Sequence, residues 1–405
     1  MTPREPSGVT VTRKALLFLA ALALFSVSPG GWNVRPQAST EDWRALLEAA
    51  NRARLAGDLD GAMEQYRAVV ARNPNELSAW WYLCTLAYDA GKYVEAKDAA
   101  LEMTNRWPGY GAAYAMLGLA YFNLGNFPEA LRNFQQARVV GIGPHEALQR
   151  LVRYYGGMSL LRLGEFEAAF QAFEGFAYEN RRFLRVVEGL GLCMLRLPYL
   201  PEQIPEDQRA LVQEVGEAAF AWEGGLRDEA KAKFRGLLER YPDVPNLHYS
   251  FGALIQVAYP EEALEQFLAE LEKNPAHLLA LVQVAFEYIR RGEYERARPY
   301  AERAVQVDPT DFAGRFAKGR VLLELGEVEA AVRELEKAVE LAPQKPEVRF
   351  VLARAYRQQG RREEAQEQFQ EFQRLTRMLQ EAEEFLKERD YSTKQGTSGE
   401  APARP

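Results

Sequence analysis

Groups able to do acid–base, nucleophilic or metal chemistry are sparse in this sequence. Its three histidines, His145, His248 and His277, have neither a second histidine nor a cysteine at metal-ligand spacing, so each is expected to be a loop or groove side chain. Cys84 and Cys193 lie more than a hundred residues apart in small apolar surroundings, which predicts two isolated thiols. No C-x-x-C, G-x-S-x-G or phosphate-loop pattern occurs. The acid pairs Glu261-Glu262 and Glu363-Glu364 open helical segments, where carboxylates favour the helix dipole, so they are read as structural. No catalytic, metal-binding or cofactor-binding residue is assigned, no cofactor is expected, and the chain is read as a non-enzyme. Function is left to a surface, and that surface depends on the elements that carry it.

Those elements repeat. Residues 278–309 read LLALVQVAFEYIRRGEYERARPYAERAVQVDP and residues 312–343 read FAGRFAKGRVLLELGEVEAAVRELEKAVELAP, with Gly292 answered by Gly326, Ala297 by Ala331 and Pro309 by Pro343. The period is 34 residues, the mark of stacked supersecondary units. Leu281, Val284, Ala285 and Tyr288 follow the i, i+3, i+4, i+7 rule of an amphipathic helix. Gly292 should end that helix in a turn that a bulky residue would resist, and Pro309 should stop the second helix. Ala297, Ala301 and Ala304 give that second helix a small face for close approach. The glycine recurs as Gly57, Gly91, Gly125, Gly164, Gly225 and Gly360, and the alanine as Ala62, Ala96, Ala130, Ala169, Ala230, Ala263 and Ala365. One hairpin cannot bury its apolar face alone, so the next must stack on it.

Trp80, Leu83 and Cys84 in one unit and Tyr114, Leu117, Gly118 and Tyr121 in the next resemble the tetratricopeptide repeat family, as do the second-helix aromatics Tyr66, Phe134, Phe173, Phe234, Phe267 and Phe369. The resemblance covers about residues 43–379. It implies an all-α fold, a right-handed α-solenoid of about nine to ten helix-turn-helix repeats, whose concave groove is lined by set positions of each first helix. Carried onto this sequence, those positions are Trp81, Tyr88, Phe122, Tyr154, Met158, Trp222, Tyr249, Phe286, Phe316, Arg320, Phe350 and Arg354. Aromatic and arginine side chains most often dominate binding energy, so the implied partner is a protein segment with apolar anchors, held in the groove. Family members that grip acidic chaperone tails use a Lys/Asn/Arg clamp. The matching slots here hold Leu47, Asn51, Tyr82, Ala112 and Met116, so that clamp is excluded from the front of the array.

Departures from the repeat set the expected domains. An insertion around GIGPHEALQ displaces Pro144, and Gly156-Gly157 doubles a small position at a helix-propensity cost of roughly 1 kcal/mol per glycine. Pro198, Pro201 and Pro205 are expected to deny one first helix its partner, dividing a front block at residues 43–197 from a rear block at 206–390 across a break at 198–205. At Ala258 the hairpin glycine is missing. The last helix should run to about Asp390 as a cap, leaving residues 391–405 as a disordered tail.

At the other end, Arg4, Arg13 and Lys14 precede a 13-residue apolar run at 15–27, followed by Ser28, Pro29, Gly30 and Gly31. This is the layout of a secretory signal over residues 1–28, with 29–42 as a tether; 13 residues fall short of the roughly 20 that span a bilayer. Export is expected, to the periplasm or to an inner-membrane anchor facing it, with membrane contact only through an uncleaved N-terminal segment. A net charge of −7 argues against nucleic acid. The function expected is a scaffold or adaptor of the cell envelope. The alternatives are an accessory subunit or regulator of an envelope enzyme or export machine, or a cytosolic regulator if residues 15–27 do not direct export. End-to-end self-association stays open.

Overall fold

The computed structural model describes residues 40–143, 145–179 and 182–396. The expected signal, most of the tether, Pro144 and residues 397–405 lie outside the described residues. Within them the chain forms 19 α-helices and no strand, divided into two compact units, Met1–Gly225 and Leu226–Pro405. The first unit holds five hairpins: α1 (Thr40–Leu55) with α2 (Leu59–Arg72), α3 (Leu77–Asp89) with α4 (Tyr93–Arg106), α5 (Gly111–Asn123) with α6 (Phe127–Val140), α7 (Glu146–Arg162) with α8 (Phe166–Tyr178), and α9 (Leu184–Met194) with α10 (Glu206–Glu223). The second opens with α11 (Arg227–Arg240). Four hairpins follow: α12 (Leu247–Ile255) with α13 (Pro260–Lys273), α14 (Leu278–Arg290) with α15 (Tyr294–Val307), α16 (Phe312–Glu324) with α17 (Val328–Leu341), and α18 (Pro346–Gln358) with α19 (Arg362–Gly396).

Local chemistry accounts for the hairpins. All eight turn glycines sit at φ between 73° and 85°, and a Cβ at any of them would meet nothing within 4 Å. Their backbone conformation, not lack of room, requires glycine. Seven of these turns, all but the one at Gly225, are closed by a backward hydrogen bond of the kind Lys92 N–H makes to the Ala87 carbonyl at 2.8 Å, repeated by Asn126 to Tyr121 at 2.9 Å. The second-helix alanines Ala62, Ala96, Ala130, Ala169, Ala230, Ala297 and Ala331 are fully buried, as are Tyr66, Phe134, Phe173 and Phe234 beside them. Small residues on the first helices admit those rings. A Cβ at Gly118 would lie 2.6 Å from Phe134, and one at Gly157 would lie 2.8 Å from Phe173. Gly157 is therefore a packing requirement, where the sequence suggested only a weak point. The prolines that end second helices gain a further use: their carbonyls accept from the side chain six residues on, Trp80 to Pro74 at 2.9 Å, Arg315 to Pro309 at 3.0 Å and Arg349 to Pro343 at 3.1 Å.

The proline-rich segment behaves differently from its expectation. Instead of denying α9 a partner it postpones one. Residues 198–205 form a connector containing the 3₁₀ turn Pro201–Gln203, after which α10 returns to pack on α9. Arginines from three helices hold the connector: Arg162 donates to the Pro198 carbonyl, Arg185 pairs with Glu202, and Arg209 donates to Pro201 and Ile204 at 3.3 and 3.2 Å. The division of the chain falls at Gly225–Leu226, not in this segment. At the C-terminus α19 continues to Gly396, so residues 391–396 are helical where the sequence reading began a tail.

In the second unit, a carboxylate clip fixes α16 to α17. Glu334, 13% exposed, accepts from Lys318 at 2.8 Å and pairs with Arg315. Burial pushes its carboxyl upward, but the hydrogen bonds from Lys318 and Arg315 outweigh that and hold it below the usual carboxylate value. A lowered folded-state pKa stabilises above the unfolded value of about 4.3, and that contribution disappears as pH falls through the folded value. Urea denaturation of the wild type and Glu334→Gln from pH 7 to pH 3 should thus show a wild-type advantage at neutral pH that narrows below about pH 4. A gap that stays constant would remove the clip from the stability of this unit.

Candidate functional site: the aromatic and arginine face of the first helices

First helices of successive hairpins lie side by side within each unit, α3 with α5, α5 with α7 and α7 with α9 in the first, and α14 with α16 and α16 with α18 in the second. They carry ten of the twelve groove positions read from the sequence; Tyr249 lies on α12, and Trp222 lies on α10, the second helix of its hairpin, and the two units treat these positions differently.

In the first unit they mostly bind hairpins to each other. Trp81 and Met158 are buried, and the Trp81 ring meets Tyr110 edge-on at 5.8 Å. Tyr88 is buried too, its hydroxyl accepting from Asn123 Nδ2 at 2.8 Å. Phe122 is half-buried, edge-on to Phe127 at 5.4 Å and to Tyr155 at 4.8 Å. Tyr154 is half-buried against Tyr155 at 5.1 Å, and burial pushes its hydroxyl well above the usual tyrosine range. Trp222, on α10, is half-buried. Edge-to-face ring pairs of this kind each add about 0.5–1.5 kcal/mol beyond their area, so these rings stabilise the stack and leave little for a ligand to touch.

The second unit presents more. Tyr249 is buried, packed on Phe267 at 5.9 Å and on His277 at 4.8 Å. Phe316 is 6% exposed, while Phe286, on the preceding first helix, is half-buried with its ring 5.8 Å away. The Arg320 guanidinium lies over the Phe316 ring at 5.7 Å. Phe350 is 40% exposed, against Phe372 at 5.3 Å, and Arg354 pairs with Glu324 at 3.0 Å. Phe286 also walls an open cleft of about 370 Å³, shared with Val257, Pro260, Phe267, Gln283 and Arg290.

The cleft arises where the repeat loses its hairpin glycine. Without it the turn closes on Ile255, whose carbonyl accepts from Ala258 at 3.0 Å and Tyr259 at 2.8 Å, and Val257 is left 94% exposed. Its α12 spans nine residues, shorter than the other first helices of this unit. The missing glycine at Ala258 was the signal available in the sequence, but the cleft beside it was not legible there. Two buried acids were also missed. Glu270 accepts from the backbone of Asn246 at 3.1 Å and Tyr249 at 3.2 Å, capping a helix that starts from Asn246 at φ 67. Glu188 accepts from Arg209 at 3.1 Å and Gln213 at 3.0 Å.

The few chemical groups have structural partners. His277, at the end of the turn before α14, caps that helix through Nδ1, which accepts from Ala280 N–H at 3.1 Å, while Nε2 lies 2.9 Å from the Asn246 side-chain oxygen; it is a loop residue as read from the sequence, but a buried one. His248 contacts Gln266 at 2.8 Å. Both thiols are buried and pushed well above the usual cysteine value by desolvation, which denies them thiolate reactivity. Glu262 pairs with Lys231 at 2.6 Å and Arg235 at 2.8 Å, and Glu364 with Arg361 at 3.0 Å. Among the described residues no three His, Cys, Asp or Glu side chains converge as a metal ion would need. What this face can do is hold another chain.

Comparison with known proteins agrees with the helical pattern. Profiles described as tetratricopeptide repeat match residues 47–111 and 115–182, 286–356, and 346–377. Anaphase-promoting complex subunit 3 of Schizosaccharomyces pombe is 25% identical over 143 residues, 35% of this chain and 22% of that protein, so the match spans about a fifth of the curated relative. Among solved structures, a MamA crystal structure aligns at 18% identity and a TM-score of 0.37, covering 40% of this chain and 96% of MamA. MamA 41-end from Desulfovibrio magneticus RS-1 aligns at 19% identity and 0.36, covering 41% and 96%. The matched stretches take in more than half of the sequence, and the glycine turns, alanine faces and paired helices recur through both units, so the chain is a tetratricopeptide-repeat protein.

Proposed function

We propose that this protein is a non-enzymatic scaffold of the cell envelope that holds a segment of a partner protein against the first helices of its second unit. One observation carries the reading: Phe350 is 40% exposed and Phe286, half-buried, walls an open cleft, whereas most of the corresponding first-unit rings are taken up in packing. Side chains of that kind, on rigid helices, are the usual anchors of protein interfaces. The envelope assignment is supported by the layout of residues 1–31. Among the described residues no helix is long and apolar enough to cross a membrane.

Placing the photocrosslinking residue p-benzoylphenylalanine at Phe350 in cells should yield a discrete adduct with one partner, and the same residue at Glu329, in the first turn of α17, should not. Equal labelling from both positions, or none from either, would move the search to another face. Export is tested separately, by fusing residues 1–42 to a reporter enzyme that folds only outside the cytoplasm; an inactive fusion would favour the cytosolic alternative.

A further inference from the structure

We propose that Arg320 and Arg354, with the Phe286–Phe316 ring contact and the cleft beside Val257, form a docking site for a short acidic peptide motif: a side-chain carboxylate next to an aliphatic or aromatic anchor. This inference rests on the groove reading above and names the chemistry of the segment held there.

The other half-buried arginines of this unit have acid, amide or carbonyl partners. Arg315 and Lys318 share Glu334, Arg298 holds Glu327, and Arg361 holds Glu364. Arg320 departs from that pattern. It is half-buried, yet among the described residues its guanidinium makes no hydrogen bond or ion pair, and its contact is the Phe316 ring. Glu324, the carboxylate whose charge acts on Arg320, is engaged by Arg354 at 3.0 Å, and Arg354 itself adds a like charge to the surroundings of Arg320. Desolvation pushes the Arg320 pKa below the ordinary arginine value, whereas every other arginine with a resolved shift is pushed up. The group stays charged, because arginine does not deprotonate in proteins. A half-buried, unanswered charge is unfavourable to folding, and a carboxylate arriving from outside would supply both the opposite charge and a planar acceptor for the fork.

The rest of the site fits a polypeptide. Phe286 touches Phe316 on one side and walls the cleft of about 370 Å³ on the other, where Val257, Pro260 and Phe267 offer apolar surface beside Gln283 and the Glu287–Arg290 ion pair, so a carboxylate at Arg320 places its neighbouring side chains toward a recess of mixed lining. A polyanion fits less well. Residues 201–405 carry 29 basic and 38 acidic side chains, a balance that repels nucleic acid or an anionic membrane while a single carboxylate meets the local arginine pair.

The test is selection of random peptides displayed on phage against the full chain, followed by fluorescence polarisation of the selected peptides against wild type, Arg320→Leu and Phe286→Glu. The expected sequences carry Asp or Glu within three or four residues of Leu, Ile or Phe. Arg320→Leu should weaken them at least about tenfold, the scale of one lost charged hydrogen bond, and Asp→Asn in the peptide should cost the same against wild type but nothing further against Arg320→Leu. The melting temperature of Arg320→Leu should hold or rise, since an unanswered charge is removed. Peptides without an acid, affinities unmoved by Arg320→Leu, or a fall in its melting temperature would overturn the inference. If Phe286→Glu abolishes binding while Arg320→Leu does not, the groove reading survives and the acidic motif is wrong. If neither variant weakens binding, or no peptide is selected, both readings fail.

Discussion

Replacing Gly191 or Gly216 with alanine should destabilise the first unit by about 3 kcal/mol, against the roughly 0.5–1 kcal/mol that the same change adds in an unobstructed helix. The two glycines face each other's backbones where α9 crosses α10. A Cβ at Gly191 would stand 1.9 Å from the Val212 carbonyl oxygen, and one at Gly216 would stand 1.9 Å from the Val187 carbonyl oxygen. Neither oxygen can rotate away, because both belong to helical backbone, so the helices must separate and lose the packing of Val187, Val212 and Val215. Gly236 in α11 is the control: nothing lies within 4 Å of its Cβ position, and Gly236→Ala should stabilise. Urea denaturation followed by circular dichroism reads all three. The double variant should cost less than the sum of the singles, since the helices part only once. Stability unchanged in Gly191→Ala would mean that α9 and α10 do not cross as described.

Arg209→Leu should cost about 3 kcal/mol in the same unit. Its guanidinium serves Glu188, whose side chain is 5% exposed, together with the carbonyls of Pro201 and Ile204 in the connector. Removing it leaves a buried carboxylate with Gln213 as its remaining donor among those hydrogen bonds and strips two carbonyls of a partner. Pairing the change with Glu188→Leu should recover much of the loss, because a buried ion pair often does little better than well-packed apolar groups, while half a pair does far worse. Denaturation midpoints of the two singles and the double provide the coupling. Additive losses would show that Arg209 acts on the connector alone.

Both predictions concern a part of the chain that sequence reading misjudged. Three prolines in eight residues argue locally against a helix, and locally they succeed, since residues 198–205 carry only a 3₁₀ turn. That α10 then returns to α9 depends on Gly191 and Gly216, which stand 25 positions apart and look ordinary until the helices cross. The groove positions show the same limit. Trp81, Tyr88, Met158, Tyr249 and Phe316 occupy the register that the family resemblance implies, but their exposure depends on which ring the neighbouring hairpin supplies. Arg320 and Arg354 share one repeat position, and only the side chains around them make one answered and the other not.

By itself the sequence determined the helix-turn-helix period, because glycine, alanine and proline act through backbone geometry and side-chain volume within one unit, and those constraints are local. It also marked where the period lapses, at residues 198–205 and at Ala258. Tertiary structure decided where the units divide, which helix answers α9, which aromatic rings remain on the surface and which half-buried arginine lacks a polar partner among the described residues. Burial and charge pairing are properties of contacts between hairpins, and residues 34 positions apart meet different neighbours even when their own letters agree.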